Sequence, residues 1–298
     1  MPKIGAHVSA AVSLDRSISK ALEIGAECTQ FFISPPQQWV QSEHDEKEIA
    51  QYRKRVEESG IGPNFIHGTY LVNLGTPNPE HLNKSIDWLI YALNMADKLG
   101  VRGVIFHTGS HKGEGMDSIL GQVVETIRVI LANTKRPGSL VDSGGASLPR
   151  MTQEKPYLIL ETAASSRSIG YQFSDLGKIL KGVNDPRLKV CLDIQHSFAG
   201  GYDPKSPLTL KDVLEEFEEE IGLANLVAIH ANDSKVEHRS NRDRHENIGE
   251  GFIGKEGFIN LINHPRLKDV PFILEVPGFA GNGPDKENVD TLKSLVNK

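Results

Sequence analysis

The chain has 298 residues, 38% of them hydrophobic, and a formal net charge of −6 at neutral pH. That is enough apolar material for one large buried core, and the acidic balance gives no global basic signal for nucleic acid, without excluding a local one. No run of about 18 apolar residues marks a membrane span, and the N-terminal MPKIGAHVSA lacks the basic flank and apolar stretch of a secretion signal, so a soluble cytoplasmic protein is expected.

Eight short apolar runs rich in β-branched residues follow one another at 3–9, 27–33, 63–68, 102–108, 157–162, 188–194, 225–231 and 271–276. Between them lie segments of helical periodicity at 14–25, 46–59, 81–100, 117–134, 174–182, 210–222 and 255–264. In the third of these, Ile86, Leu89, Ala92, Leu93 and Ala96 form the stripe of a helix packed on a sheet. Strand and helix alternating in this way require parallel strands with right-handed crossovers, and eight repeats close into a (β/α)8 TIM barrel, read here as a single domain over 1–298. A doubly wound open sheet is the alternative. Cys28 and Cys191 both lie in apolar runs and are read as buried structural thiols, too few and too scattered for a disulfide framework or a thiolate metal site. The Gly-, Ser- and Pro-rich stretch 134–156 follows a helix and precedes a strand, which predicts a mobile, dispensable loop on the N-terminal face. The acidic run EEFEEE at 215–220 reads as the solvated face of a helix.

Chemistry-bearing residues recur where the apolar runs end. His67 ends PNFIHG, His107 ends GVIFHTG, Glu161 ends YLILETA, Asp193 and His196 end KVCLDIQH, His230 ends LVAIHAND and Glu275 ends PFILEVPG. Asp243 and His245 add a further pair from NRDRHENIG, standing on the same side of an extended segment. One strand-end histidine is most simply a hydrogen-bonded structural residue, but six strands repeating the pattern point to metal. A barrel brings strands remote in sequence to one C-terminal face, whereas an open sheet would scatter them along a crevice. Imidazoles and carboxylates without thiolate are the ligand set of catalytic zinc or of manganese, with coordination positions left open for water. A carboxylate such as Glu161 or Glu275 at a barrel rim is costly to bury unless it is paired or metal-bound. His7 in the first strand is expected beside the ligands, and His44, His81, His111, His238 and His264 outside the site. Gly249, Gly251 and Gly254 spell the dinucleotide pattern GxGxxG, but they follow the charged DRHEN loop and not an apolar strand, so a rim loop is expected in place of a nucleotide site.

The stretches GAHVSAA, HGTYLVNLG, LDIQHSFAGGYD, HANDSK, DRHENIGEG and ILEVPG, in this order over nearly the whole chain, resemble the endonuclease IV family of zinc-dependent apurinic/apyrimidinic (AP) endonucleases. The resemblance implies three zinc ions per chain, with manganese as an alternative occupant at one or more positions. By family pattern one zinc is held by His67, His107 and Glu161, and Glu161 bridges to a second held by Asp193, His230 and Glu275. The third is held by His196, Asp243 and His245. It further implies hydrolysis of the phosphodiester on the 5′ side of an abasic site, leaving a 3′-hydroxyl and a 5′-deoxyribose phosphate, and trimming of blocked 3′ ends. Either Glu161 or Glu275 would orient the attacking water. Three divalent cations against four carboxylates would make the site locally positive although the protein is acidic. The partner is then double-stranded DNA, approached by a monomer whose barrel mouth stays free. Tyr70 and Leu71 match family positions that wedge into the duplex, and Gln37 and Gln38 in PPQQW fall at the DNA side. Two features depart from the family pattern: Gln37 stands where an Arg is usual, and Glu161 is followed by TAASSR in place of NTAGQG. Arg167, at the end of that altered loop, is expected to supply a phosphate contact in compensation. The competing readings are a sugar isomerase on the same barrel, which has no use for His196, Asp243 and His245, and a non-enzymatic metal or nucleic-acid binder.

Overall fold

The computed structural model describes residues 1–134 and 155–297. The eight apolar runs form β1 (Ile4–His7), β2 (Thr29–Phe31), β3 (Asn64–His67), β4 (Gly103–His107), β5 (Tyr157–Glu161), β6 (Leu188–Asp193), β7 (Leu226–His230) and, after a two-stranded hairpin of β8 (Asp233–Ser234) and β9 (His245–Glu246), β10 (Phe272–Leu274). All eight barrel strands are parallel, in the closed order β1-β10-β7-β6-β5-β4-β3-β2. The pairing of Ile4 with Phe272 and Gly5 with Ile273 completes the ring and rules out the open doubly wound sheet.

Around the barrel lie α1 (Leu14–Ile24), α2 (Glu46–Ser59), α3 (Pro79–Leu99), α4 (Met116–Asn133), α5 (Phe173–Val183), α7 (Pro207–Glu220), α8 (Gly254–Ile262) and α9 (Lys286–Ser294), with the short α6 (Ile194–Gly200) directly after β6. The longest, α3, shows how the sequence sets its ends. The Asn78 side chain accepts from the amides of Glu80 and His81, Pro79 occupies the first turn, and Gly100 closes the helix in the left-handed region. Its inner face buries Trp88, Leu89, Ala92, Leu93 and Ala96. The acidic run lies on α7, which turns Leu210, Leu214 and Phe217 inward and leaves Glu215, Glu216, Glu218 and Glu219 exposed.

A second, smaller apolar cluster fills the barrel lumen: Cys28, just before β2, and Phe65, Ile105, Ile159, Cys191, Ala228 and Ile273, one residue from each of the other strands except β1. In β1 the equivalent position is Gly5, where a Cβ would stand 2.5 Å from the Cys28 carbonyl oxygen, so only glycine fits. Both cysteines are free and buried, and burial pushes the Cys28 thiol up to about 12 and that of Cys191 to about 11. Side chains alternate across a strand. Two residues beyond the lumen layer each chain therefore points inward again, now at the C-terminal mouth, with His7, Gln30, His67, His107, Glu161, Asp193, His230 and Glu275.

Helices α6 and α9 and the β8–β9 hairpin lie outside the expected elements. α6 is seven residues long, α9 is mostly polar, and the hairpin strands have two residues each, too few to show a period. The loop expected at 134–156 falls, from 135 to 154, outside the described residues. Among the described residues no helix is long and apolar enough to cross a membrane.

Candidate metal centre

At the barrel mouth the strand ends converge on three overlapping groups whose ligand atoms lie within 4.8 Å of one another: His67, His107 and Glu161; Glu161, Asp193, His230 and Glu275; and Asp193, His196 and His245. Glu161 joins the first two. Its Oε2 is 3.3 Å from His67 Nε2 and 3.4 Å from His107 Nδ1, and its Oε1 is 3.1 Å from His230 Nδ1. Asp243 divides its carboxylate between the imidazoles of the third group, Oδ2 at 3.2 Å from His196 Nε2 and Oδ1 at 3.3 Å from His245 Nε2. The resemblance placed Asp243 alone with these histidines; here Asp193 also reaches them, its Oδ2 3.9 Å from His245 Nε2.

Four of the five imidazoles give one nitrogen to the protein and turn the other to the centre. The Nδ1–H groups of His67, His196 and His245 donate to the carbonyls of Gly68, Thr162 and Glu275, and His230 Nε2–H donates to Gln30 Oε1. Such bonds fix tautomer and ring orientation before any ion binds. The inward Nε2 atoms of His196 and His245 are buried and have no hydrogen-bond partner, although Asp243 stands at contact distance from both. Atoms that converge without being aligned for hydrogen bonds to each other suit a shared cation, and the N/O donor set is that of zinc or manganese.

The carboxylates are held in the same way. Asp193 caps α6, its Oδ1 accepting from the His196 amide at 2.7 Å, so capping and ligand placement are a single act. Asn232 donates to Asp193 Oδ2 at 2.8 Å and accepts from the Glu275 amide at 2.7 Å. Gln30 donates to Glu275 Oε1 and lies 2.9 Å from His7 Nδ1, which itself stands 3.2 Å from the same carboxylate oxygen. Gln195 pins the other flank, donating to the Arg242 carbonyl at 3.0 Å and accepting from the Arg244 amide at 3.2 Å, on either side of Asp243. Gln30, Asn232 and Gln195 escape sequence reasoning because amides do not stand out as ligands, although Gln30 occupies the same pleat position as His67 and Glu161.

Burial alone would raise Glu161 and Glu275, but the surrounding imidazoles hold both carboxyls well below the usual range, His107 and His230 acting on Glu161 and His230 and His7 on Glu275. Asp243, although its side chain is 56% exposed, comes down to about 2, because the pull of His196 and His245 outweighs its partial loss of water. In return, burial is overcome at His196 and His67, which the carboxylates raise, and at His230, raised by Cys191 together with Glu275 and Glu161, while burial lowers His7 and His107.

The residues assigned to DNA contact surround this mouth. Tyr70 is 54% exposed, with its ring 6.1 Å from that of His107 and 5.5 Å from Phe32. Leu71 is half-buried, its carbonyl bonded by His81 Nε2. Gln37 and Gln38 are exposed on a loop tied to this segment, the Pro36 carbonyl accepting from the Tyr70 amide and the Thr69 hydroxyl. Arg167 is exposed on the loop after β5, and its carbonyl accepts from the His111 amide and the Ser110 hydroxyl. His111 thus braces this rim; His44 is engaged with Glu48 at 2.9 Å. A cleft of about 1090 Å³ opens over the centre, lined among others by His67, Tyr70, His107, Asp243 and Glu275.

Fold and mouth together define a (β/α)8 barrel with a thiol-free cluster at its C-terminal face able to hold metal ions. The family described as xylose isomerase-like TIM barrel matches residues 18–295. A probable endonuclease 4 of Halothermothrix orenii is 36% identical over 293 residues, covering 98% of this chain and 99% of its own length. One from Methanosphaerula palustris is 37% identical over 282 residues, covering 94% and 93%. The crystal structure of endonuclease IV from Thermus thermophilus superposes with a TM-score of 0.82 at 30% identity, over 99% of this chain and 98% of that one. The chain therefore belongs to the xylose isomerase-like TIM barrel family and, within it, to the endonuclease IV group.

Because His67, His196 and His230 are raised above the ordinary imidazole range by the groups around them, the centre binds protons that a cation must displace. Calorimetric loading of the metal-free protein is expected to release protons, giving heats that differ between buffers of different ionisation enthalpy, and to weaken as the pH falls. Heats independent of the buffer would contradict this charge state.

Proposed function

We propose that this protein is an AP endonuclease that holds three zinc ions and cleaves the phosphodiester 5′ to an abasic site in double-stranded DNA, leaving a 3′-hydroxyl and a 5′-deoxyribose phosphate, and that it trims blocked 3′ ends. The observation that carries this reading is the third ligand group: His196 and His245, with Asp243 between them, stand beside two other complete groups, more donors than the one or two metals of a sugar isomerase require. The zinc ions would be held by His67, His107 and Glu161, by Glu161, Asp193, His230 and Glu275, and by His196, Asp243 and His245 with Asp193 at the margin; manganese at one of these positions is compatible with the donors. When bound, zinc supplies Lewis acidity toward phosphate oxygens and lowers the pKa of water to about 7.

The chain's own part is placement. Glu161 is fully buried with both oxygens committed, whereas the Glu275 side chain is 15% exposed toward the cleft, so Glu275 is the carboxylate better placed to orient the attacking water, with Glu161 joining two groups. An abasic nucleotide has no base to stack or pair, so little energy opposes its extrusion into the cleft. Tyr70, half-exposed at the rim, and Leu71 beside it serve as the wedge, with Gln37 and Gln38 contacting the backbone alongside. Arg167, exposed and without an ion pair among the described residues, supplies a phosphate contact. The protein acts as a monomer in the cytoplasm, its whole barrel one domain.

An end-labelled duplex carrying a single central abasic analogue is expected to be incised only 5′ to the lesion, with activity lost on chelation, restored by zinc, and lowered more than about 100-fold in Glu161→Gln. An intact analogue after incubation with protein that carries only one or two metals would favour the isomerase reading instead. For Arg167→Ala, uniformly weaker DNA binding is expected, with the salt dependence reduced by about one ion; an unchanged slope would remove Arg167 from the interface.

A further inference from the structure

The amides of the GxGxxG stretch already have a partner within the chain. They close around one side chain, Asp233, which is fully buried. Its Oδ2 accepts from the amides of Gly249 at 2.9 Å and Gly251 at 3.1 Å, and its Oδ1 from Ser234 at 2.7 Å and Ile253 at 3.0 Å, with the Gly254 amide 3.3 Å from both oxygens. The last two amides open α8. An internal carboxylate thus takes the place that a phosphate takes at the N-terminus of a nucleotide-binding helix. The glycines are required by this embrace: Gly249 has φ of +85°, and a Cβ at Gly251 would stand 2.5 Å from Asp233 Oδ1.

Asp233 is also the first residue of β8, and its neighbour Ser234 pairs with His245 across the hairpin. Beyond it, the Lys235 amide donates to the Arg244 carbonyl at 2.9 Å, and the Phe252 amide to the Ser234 carbonyl at 2.8 Å. The segment bearing Asp243 and His245 is therefore fixed on one side by β8 and Gln195, and at its far end by the glycine loop wrapped around Asp233.

We propose that Asp233 is a positioning residue for Asp243 and His245: by gathering the amides of 249–254 around its carboxylate it fixes the hairpin that presents these two ligands beside His196. This rests on the three-metal reading above. Asparagine at 233 keeps the size but offers one acceptor oxygen, and its NH2 group faces N–H donors, so part of the loop loses its anchor. In Asp233→Asn, zinc titration of the metal-free protein is expected to show one site weakened about 10–100-fold and two unchanged, and amide hydrogen exchange is expected to rise over 243–254 alone. Gly251→Ala, which keeps the charge but crowds Oδ1, should give the same pattern and carries the test if the first variant does not fold. Wild-type exchange and three wild-type affinities in both variants would overturn the proposal, as would equal weakening of all sites with exchange rising throughout the barrel. Should the wild-type protein bind fewer than three zinc ions, the three-metal reading fails while exchange over 243–254 still decides the role of Asp233: a confined rise supports it and no change overturns it.

Discussion

The structure depends on one geometric constraint, the two-residue pleat of eight strands bent into a ring. Because side chains alternate, the residue two places beyond each lumen-filling side chain must point back into the barrel, now at its open mouth. Phe65 thereby fixes His67, Ile105 fixes His107, Ile159 fixes Glu161, Cys191 fixes Asp193, Ala228 fixes His230 and Ile273 fixes Glu275. A one-residue slip of any strand would turn its ligand outward and its apolar partner to the wrong face. Burying the lumen and assembling the centre are one event.

That geometry crowds carboxylates and imidazoles into the floor of a cleft, with Glu161, Asp193 and His230 fully buried, an arrangement that is unfavourable unless charge is balanced inside it. The imidazoles around Glu161 and Glu275 supply that balance, holding both carboxyls well below the usual range. The amides of Gln30, Asn232 and Gln195 add directional bonds that charge alone does not give. They set which oxygen and which nitrogen face the centre, so little reorganisation is left for the moment of binding. The half-exposed Tyr70, the bracing of the Gln37–Gln38 loop and the Arg167 loop around the mouth give the proposed DNA contacts a rim built on the same strand ends.

Much of this was legible in the sequence, for a physical reason: a strand buried on both faces is a continuous apolar run, so a His or Glu at its end interrupts the pattern visibly. Eight such runs with helices between them specified the closed barrel. Asp243 and His245 could be found as a pair, but not the means that holds them, since two-residue strands have no period and Asp233 looks like an ordinary loop aspartate. The same blindness hid Gln30, which sits in the right pleat but is not a ligand type, and α6, which is too short to show a stripe yet carries His196 in its first turn. That the amides of the glycine motif close on a carboxylate from a different segment is a tertiary fact no local pattern contains. Asp193 reaching two groups was likewise invisible, because spacing along a chain does not tell which of two oxygens faces which histidine.

The most direct test of the proposed three-metal centre is anomalous diffraction at the zinc absorption edge from crystals of the zinc-loaded protein. Three peaks are expected at the barrel mouth, one among His67, His107 and Glu161, one among Glu161, Asp193, His230 and Glu275, and one among His196, Asp243 and His245. Fewer than three peaks, or a peak away from these strand ends, would contradict it.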